Sequence, residues 1–283
     1  MKDSSKPTKF NGRYFFILTI LACLSSGYAA DINRPELVRL DIAAPMAAPT
    51  IELSAGGFRE QLEQTDLWPI NAVVLDMDGV TTPNSGALWT KLGQEFLRGV
   101  APEWREGDLR NIKWKSLPDV HRWLIENRGA QLSYEDYVQR REALAARIYG
   151  ELVRLEPTLL ETIDALKTAD ASVALASANT RFSVDSMIRR FNLERAFDAT
   201  ASSEELTPDK ARLGKSETHL LACQRLGVPP QRSLAIEDTR AGIEAAKKAG
   251  MITAGFRNGF NEHEDFSSAD FVIRRLRDVL ALF

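Results

Sequence analysis

The sequence predicts an α/β protein, a doubly wound parallel sheet with a mostly helical insertion. Three observations point there. First, short continuous apolar runs end in acidic or hydroxyl residues, at Asn71-Ala-Val-Val-Leu75, Ser172-Val-Ala-Leu-Ala176 and Ser233-Leu-Ala-Ile236. Such runs suit strands buried on both faces of a parallel sheet. Second, helical periodicity alternates with these runs, the pattern of βαβ units. Third, the long stretch between the first run and the second is rich in Trp, Arg and Glu and carries no buried-strand pattern. A chain of 283 residues has room for one large domain or two small ones.

In chain order, residues 1–30 read as a targeting segment. Lys2, Lys6, Lys9 and Arg13 precede an apolar run from Tyr14 to Leu24, and small residues follow at Ser25-Ser-Gly-Tyr-Ala-Ala30. That is the tripartite form of a secretory signal, and the run is shorter than the roughly 20 residues that cross a bilayer. Cleavage would place the protein in the periplasm or outside the cell. An uncleaved segment would be a membrane anchor, and without a signal the chain is cytoplasmic. Residues 31–68, with Ala43-Ala-Pro-Met-Ala-Ala-Pro49, read as a linker.

The first strand opens a core domain expected over residues 69–86 and 157–283. Amphipathic helices are expected near residues 86–98, 117–126 and 134–152, forming a helical cap over residues 87–156. Beyond it, Leu159, Ile163 and Leu166 recur at helical spacing, as do Leu220, Cys223 and Leu226. Ile243, Ala246 and Ala249 share a helix face.

Composition narrows the function classes. Hydrophobic residues make up 44% and charged residues 27%, which excludes a disordered chain and a polytopic membrane protein. The formal charge of −3 gives no broad attraction to nucleic acid. With two cysteines, Cys23 and Cys223, a disulfide framework and a cysteine-ligated zinc site are both excluded. His121, His219 and His263 make no metal-ligand spacing.

The chemistry gathers at the strand ends, where open α/β sheets hold their ligands. Asp76 and Asp78, two apart on an extended segment, point the same way, and Gly79 lets the chain turn. Glu237-Asp238 ends a second strand in the same fashion. Two acidic strand ends repel unless a cation sits between them. Carboxylate oxygens without nearby His or Cys favour a hard ion, so Mg²⁺ is expected. Ser177, followed by Ala178 and Asn179, offers a hydroxyl and backbone N–H groups as a phosphate cradle. Lys210 and Lys215 are the candidate lysines to balance phosphoryl charge.

This ordered set resembles the haloacid dehalogenase superfamily of phosphotransferases. Asp76-x-Asp78-Gly79-Val80 is similar to its first motif, Ser177 to its second, Lys215 to its third and Glu237-Asp238 to its fourth. Ile236-Glu-Asp-Thr-Arg-Ala-Gly-Ile243 and Asn258-Gly-Phe resemble the beta-phosphoglucomutase-like and sugar-phosphate phosphatase branch. The resemblance covers about residues 70–283. It implies a Rossmann-like core with a helical cap inserted after the first motif, and Mg²⁺-dependent transfer through an aspartyl phosphate. It also implies roles. Asp76 is the nucleophile, and Asp78 the acid and base whose main-chain carbonyl faces the metal. Glu237 and Asp238 serve the metal, and Ser177 and Lys215 hold the phosphoryl oxygens. The third motif departs from the family's usual Gly-Lys-Pro-x-Pro form. Here Gly214-Lys215-Ser216-Glu217 lacks both prolines, and Lys215 is favoured over Lys210 for its preceding Gly and the helix after it. Asn84, Lys113 and Lys115 are expected nearer the substrate.

The expected activity is phosphatase action on a small phosphorylated metabolite, a sugar phosphate first. Within the family the alternative is a sugar phosphate mutase. A different class, a catalytically silent secreted binding protein, is opposed by the intact set of acids. The expected partner is the small phosphorylated substrate. No nucleic acid is expected, and membrane contact only through an uncleaved N-terminal segment.

Overall fold

The computed structural model describes residues 37–41, 50–54, 59, 60, 62–65, 68–112 and 115–283. The targeting segment over residues 1–30 lies outside these. Eight strands form one sheet in the order β2-β1-β8-β7-β6-β3-β4-β5. They are β1 (Leu37–Asp41), β2 (Thr50–Ser54), β3 (Ala72–Asp76), β4 (Ser172–Ser177), β5 (Ala199–Ser202), β6 (Ser233–Glu237), β7 (Ile252–Phe256) and β8 (Phe271–Ile273). The run β8-β7-β6-β3-β4-β5 is parallel throughout.

One expectation is corrected. The stretch read as a linker contains β1 and β2, which pair antiparallel over five residues each and join β8 antiparallel at Arg39↔Val272. The alternation in Leu37-Val-Arg-Leu-Asp41 and Thr50-Ile-Glu-Leu-Ser54 is a strand signal. The Ala and Pro residues between the two runs masked it.

The parallel strands divide their side chains by period 2. Val73, Leu75, Val173, Leu175, Leu234 and Ile236 face one side and build the larger core with Leu159, Ile163 and Leu166. Val74, Ala174, Ala176, Ala201 and Ala235 face the other. Small side chains there let the helices Lys215–Leu226 and Arg240–Lys248 approach the sheet through Ala222, Cys223 and Ala246. The first of these helices thereby sets its N-terminal residue, Lys215, at the sheet's carboxyl edge.

The insertion leaves after β3. A short helix, Ser85–Leu88, runs through a π-helical turn, Trp89–Gly93, into Gln94–Val100. Leu117–Arg128 starts at Ser116 and Tyr134–Arg147 at Ser133, each N-cap Oγ accepting from a backbone N–H in the first turn. Leu97, Val100, Trp104, Val120, Leu124 and Tyr137 form a separate apolar cluster inside the insertion. Its last turn, Ile148–Leu152, is again π-helical, and Ile148 and Tyr149 pack into the main core instead. Among the described residues no helix is long and apolar enough to cross a membrane.

Candidate active site

The turn after β3 is built by its own side chains. Thr81 Oγ1 donates to the Asp76 carbonyl at 2.8 Å and Thr82 Oγ1 to the Met77 carbonyl at 2.9 Å. The Gly79 N–H closes on Thr82 O at 3.1 Å. Gly79 has φ +79°, and a Cβ there would lie 1.7 Å from Asp238 Oδ2. Only glycine allows both the left-handed backbone and this approach of Asp238. The turn therefore brings the first acidic strand end against the second.

Asp76 is buried, with both carboxylate oxygens held. Oδ1 accepts the Met77 N–H at 2.8 Å, and Oδ2 lies 2.6 Å from Lys215 Nζ. The same Nζ lies 2.8 Å from Glu237 Oε2. Lys215, not Lys210, is thus the lysine brought to Asp76. Lys210 is exposed on the short helix Pro208–Ala211. On the far side of Glu237, the buried His219 Nε2 sits 3.0 Å from Oε1. Asp238 is held from the opposite direction by Asn258 Nδ2, which donates to its Oδ2 at 3.1 Å and to Gly79 O at 2.8 Å. Asn261 Nδ2 donates to the Asp238 carbonyl at 2.7 Å.

Asp76, Glu237 and Asp238 each offer an oxygen within 4.8 Å of the others. Burial, then the charge of Glu237, raises the Asp76 carboxyl well above the usual carboxylate range. The same two causes push Asp238 up to about 7. Burial also opposes charge on Glu237, but Lys215 and His219 outweigh it and bring the group down to about 2. One lysine therefore leaves negative charge in this cluster unbalanced. An all-oxygen set with excess negative charge is what a hard divalent cation fits.

Asp78 faces the insertion. Tyr149 Oη donates to its Oδ1 at 2.8 Å and lies 3.0 Å from its Oδ2. Asn179 Nδ2 also donates to Oδ2. Asn179 was expected on the phosphoryl group; here its amide is engaged by Asp78, and its backbone N–H by Ser177 Oγ at 3.1 Å. Ser177, buried at the end of β4, stands one residue beyond the level of Asp76, which pairs with Ala176. The carbonyl of Ala178 accepts from Ser203 Oγ at 2.7 Å, fixing the loop.

The expected substrate residues fare differently. Asn84 is corrected. Its Oδ1 accepts the Arg154 N–H at 2.8 Å and its Nδ2 donates to Leu152 O at 3.4 Å, so it ties the two connections of the insertion together. Lys115 is exposed, before the helix Leu117–Arg128. Lys113 lies outside the described residues. A cavity of about 600 Å³ is lined by Lys91 and Arg98 of the insertion and by Asp238, Asn258, Phe260 and His263 of the core. It touches the acidic cluster at Asp238.

Sequence reasoning gave no role to Tyr149, His219, Asn258 or Asn261. His219 had a usable signal: four residues after Lys215 on a helix, it shares that residue's face. Tyr149 had none, because its partner Asp78 is 71 residues away.

A model of the haloacid dehalogenase-like hydrolases matches residues 70–250. The chain is 26% identical over 185 residues to a phosphorylated carbohydrates phosphatase of Thermotoga maritima, covering 64% of this chain and 82% of that one. To protein CbbY of Rhodobacter capsulatus it is 29% identical, covering 72% and 92%. To the phosphoglycolate phosphatase of Escherichia coli K12 it is 26% identical, covering 75% and 91%. In fold it is similar to the crystal structure of a CbbY mutant from Rhodobacter sphaeroides in complex with xylulose-(1,5)bisphosphate. That match has a TM-score of 0.61 at 22% identity, over 74% of this chain and 96% of the other.

Proposed function

The chain belongs to the haloacid dehalogenase-like hydrolases, and from that premise we propose that this phosphoric monoester hydrolase cleaves a small phosphorylated metabolite, a sugar phosphate, with Mg²⁺ and through an aspartyl phosphate on Asp76. The observation that carries the reading is the Asp76 carboxylate at a strand end, 2.6 Å from Lys215 Nζ and within one cluster with Glu237 and Asp238. The likeness to a phosphorylated carbohydrates phosphatase, together with the CbbY likeness, supports a carbohydrate phosphate over the two-carbon phosphate named for the Escherichia coli relative.

In the first step a carboxylate oxygen of Asp76 attacks phosphorus, and the ester P–O bond breaks in line. Asp78 gives its proton to the leaving alcohol oxygen. In the second step water attacks phosphorus while Asp78 takes back a proton, releasing inorganic phosphate and the Asp76 carboxylate. Splitting hydrolysis this way replaces one difficult displacement by two easier ones. In this reading Lys215 and the Ser177 hydroxyl hold the phosphoryl oxygens. Asp76, Glu237 and Asp238 would hold the cation. When bound, Mg²⁺ supplies neutralisation of phosphoryl charge.

The test is a panel of pentose, hexose and two-carbon phosphates, run with MgCl₂ and with excess chelator, following phosphate release and sugar isomerisation together. Phosphate release that needs Mg²⁺ and vanishes in folded Asp76→Asn is the expected result. Full activity in chelator, or in Asp76→Asn, overturns it. Isomerisation that outpaces phosphate release makes the chain a mutase, and no turnover on any compound leaves the silent binding fold.

A further inference from the structure

Tyr149 takes no part in the two transfer steps, yet its hydroxyl stands against Asp78. The hydrogen positions follow from the donor inventory. An indole N–H only donates, so Trp89 Nε1, 2.8 Å from Tyr149 Oη, makes that oxygen an acceptor. The single phenolic hydrogen is then left for Asp78, whose Oδ1 and Oδ2 lie at 2.8 and 3.0 Å. Asn179 Nδ2 completes the set, donating to Asp78 Oδ2 and lying 3.0 Å from Tyr149 Oη. Each carboxyl oxygen has two lone pairs. Tyr149 and Asn179 occupy one on each oxygen and leave the other for the proton that passes to substrate.

The partners are themselves held. Tyr149 is fully buried in the main core, and its ring lies 6.2 Å from that of Trp89. The Arg141 guanidinium covers the Trp89 indole at 4.9 Å. Trp89 and Tyr149 stand 60 residues apart, just inside the two connections of the insertion. The phenol is therefore anchored from both ends of the inserted domain and aimed at one carboxyl group of the core.

We propose that Tyr149, oriented by Trp89, is a positioning residue that fixes the carboxyl of Asp78 for proton transfer to the leaving oxygen. This rests on the reading of Asp78 as the proton donor. It predicts a dependence on the leaving group. An acidic phenol such as p-nitrophenol departs with little protonation, whereas phenol needs the proton. The ratio kcat/KM reports the steps up to phosphoenzyme formation, where the proton is given.

The experiment compares p-nitrophenyl phosphate with phenyl phosphate on wild type, Tyr149→Phe, Trp89→Phe, the double variant and Asp78→Asn, with thermal melts as a folding control. Tyr149→Phe should lower kcat/KM for phenyl phosphate about tenfold more than for p-nitrophenyl phosphate. Trp89→Phe should act in the same direction, and the double variant should be no worse than Tyr149→Phe, because Trp89 acts through the phenol. Equal losses on both esters, or no loss, overturn the proposal. If Tyr149→Phe does not fold, the same comparison on Trp89→Phe, which keeps the phenol, decides it. Asp78→Asn without leaving-group dependence overturns the Asp78 reading itself. Where wild type cleaves neither aryl ester, the same comparison is run on a sugar 1-phosphate against a sugar 6-phosphate, whose leaving oxygens differ in acidity. A dependence in Asp78→Asn that is missing from Tyr149→Phe overturns the Tyr149 proposal alone.

Discussion

At Asp76 the charge balance is local. Carboxylates from two strand ends converge, and Lys215 Nζ is the cation that touches two of them. Burial disfavours the charged amine, but Asp76 and then Glu237 more than offset this and raise Lys215 above the ordinary lysine range. A lysine so held stays charged at any working pH and, in the proposed mechanism, would supply a fixed positive group where phosphoryl charge develops. Lys215→Ala should raise the barrier by about 2–4 kcal/mol, the size found for single electrostatic contacts to a transition state. Lys210→Ala, at an exposed position, should leave kcat/KM unchanged. Steady-state kinetics on both variants check this, and a crippled Lys210→Ala would reassign the third motif. These residues were legible in the sequence because each sits at or next to the end of an apolar run or a helix. Tyr149 and Asn258 were not, since their contacts with Asp78 and Asp238 form only when the insertion and the loop after β7 come back to the sheet's edge.

Among elements, the legible ones had enough apolar residues to show a period. β3, β4 and β6 are continuous hydrophobic runs, and they carry the site. β5, Ala199-Thr-Ala-Ser202, is small and polar, and β8 has three residues. Neither length nor composition could separate them from loop, and only pairing with β4 and β7 makes them strands. The helix Arg181–Phe191 carries Val184, Met187, Ile188 and Phe191 at helical spacing after its Thr180 cap, a signal present in the sequence that the expectations above leave unused. The insertion has a polar fastening of its own. Arg128, in the last turn of its helix, grips both oxygens of the buried Asp108, which also accepts the Arg105 N–H at 2.8 Å. The Arg128 hydrogen bond, then that of the Arg105 backbone, overcomes burial and lowers Asp108 from the usual 3.8 to about 2. The unfolded chain takes up this proton near 3.8 and the folded one only near 2. The stabilisation is therefore complete above the usual carboxylate pKa and is lost as pH falls through the lower value. Denaturation followed by tryptophan fluorescence should show wild type more stable than Asp108→Asn at neutral pH. The gap should narrow only as pH drops below about 4. A gap that widens in acid contradicts the pairing.

For the whole molecule, the sheet order separates chemistry from the N-terminal addition. The site draws on the carboxyl ends of β3, β4 and β6, whereas β1 and β2 join the far edge beyond β8. From β3, β1 is the fourth strand away, roughly 19 Å at the usual spacing. β1 runs antiparallel to β8, and β2, which runs in the direction of the parallel strands again, lies one strand farther out, so neither brings a carboxyl strand end near the site. Its backbone covers the edge that β8 would otherwise present, and an uncovered edge is a template for pairing with another chain. A chain beginning at Phe58 should therefore keep the six parallel strands and the contacts among Asp76, Lys215, Glu237 and Asp238. Its kcat/KM for p-nitrophenyl phosphate should equal that of the full chain, while sedimentation should show more self-association as concentration rises. A folded, monomeric protein that has lost activity would mean that the hairpin acts on the site from across the sheet. Self-association without loss of turnover would place its role at the edge alone.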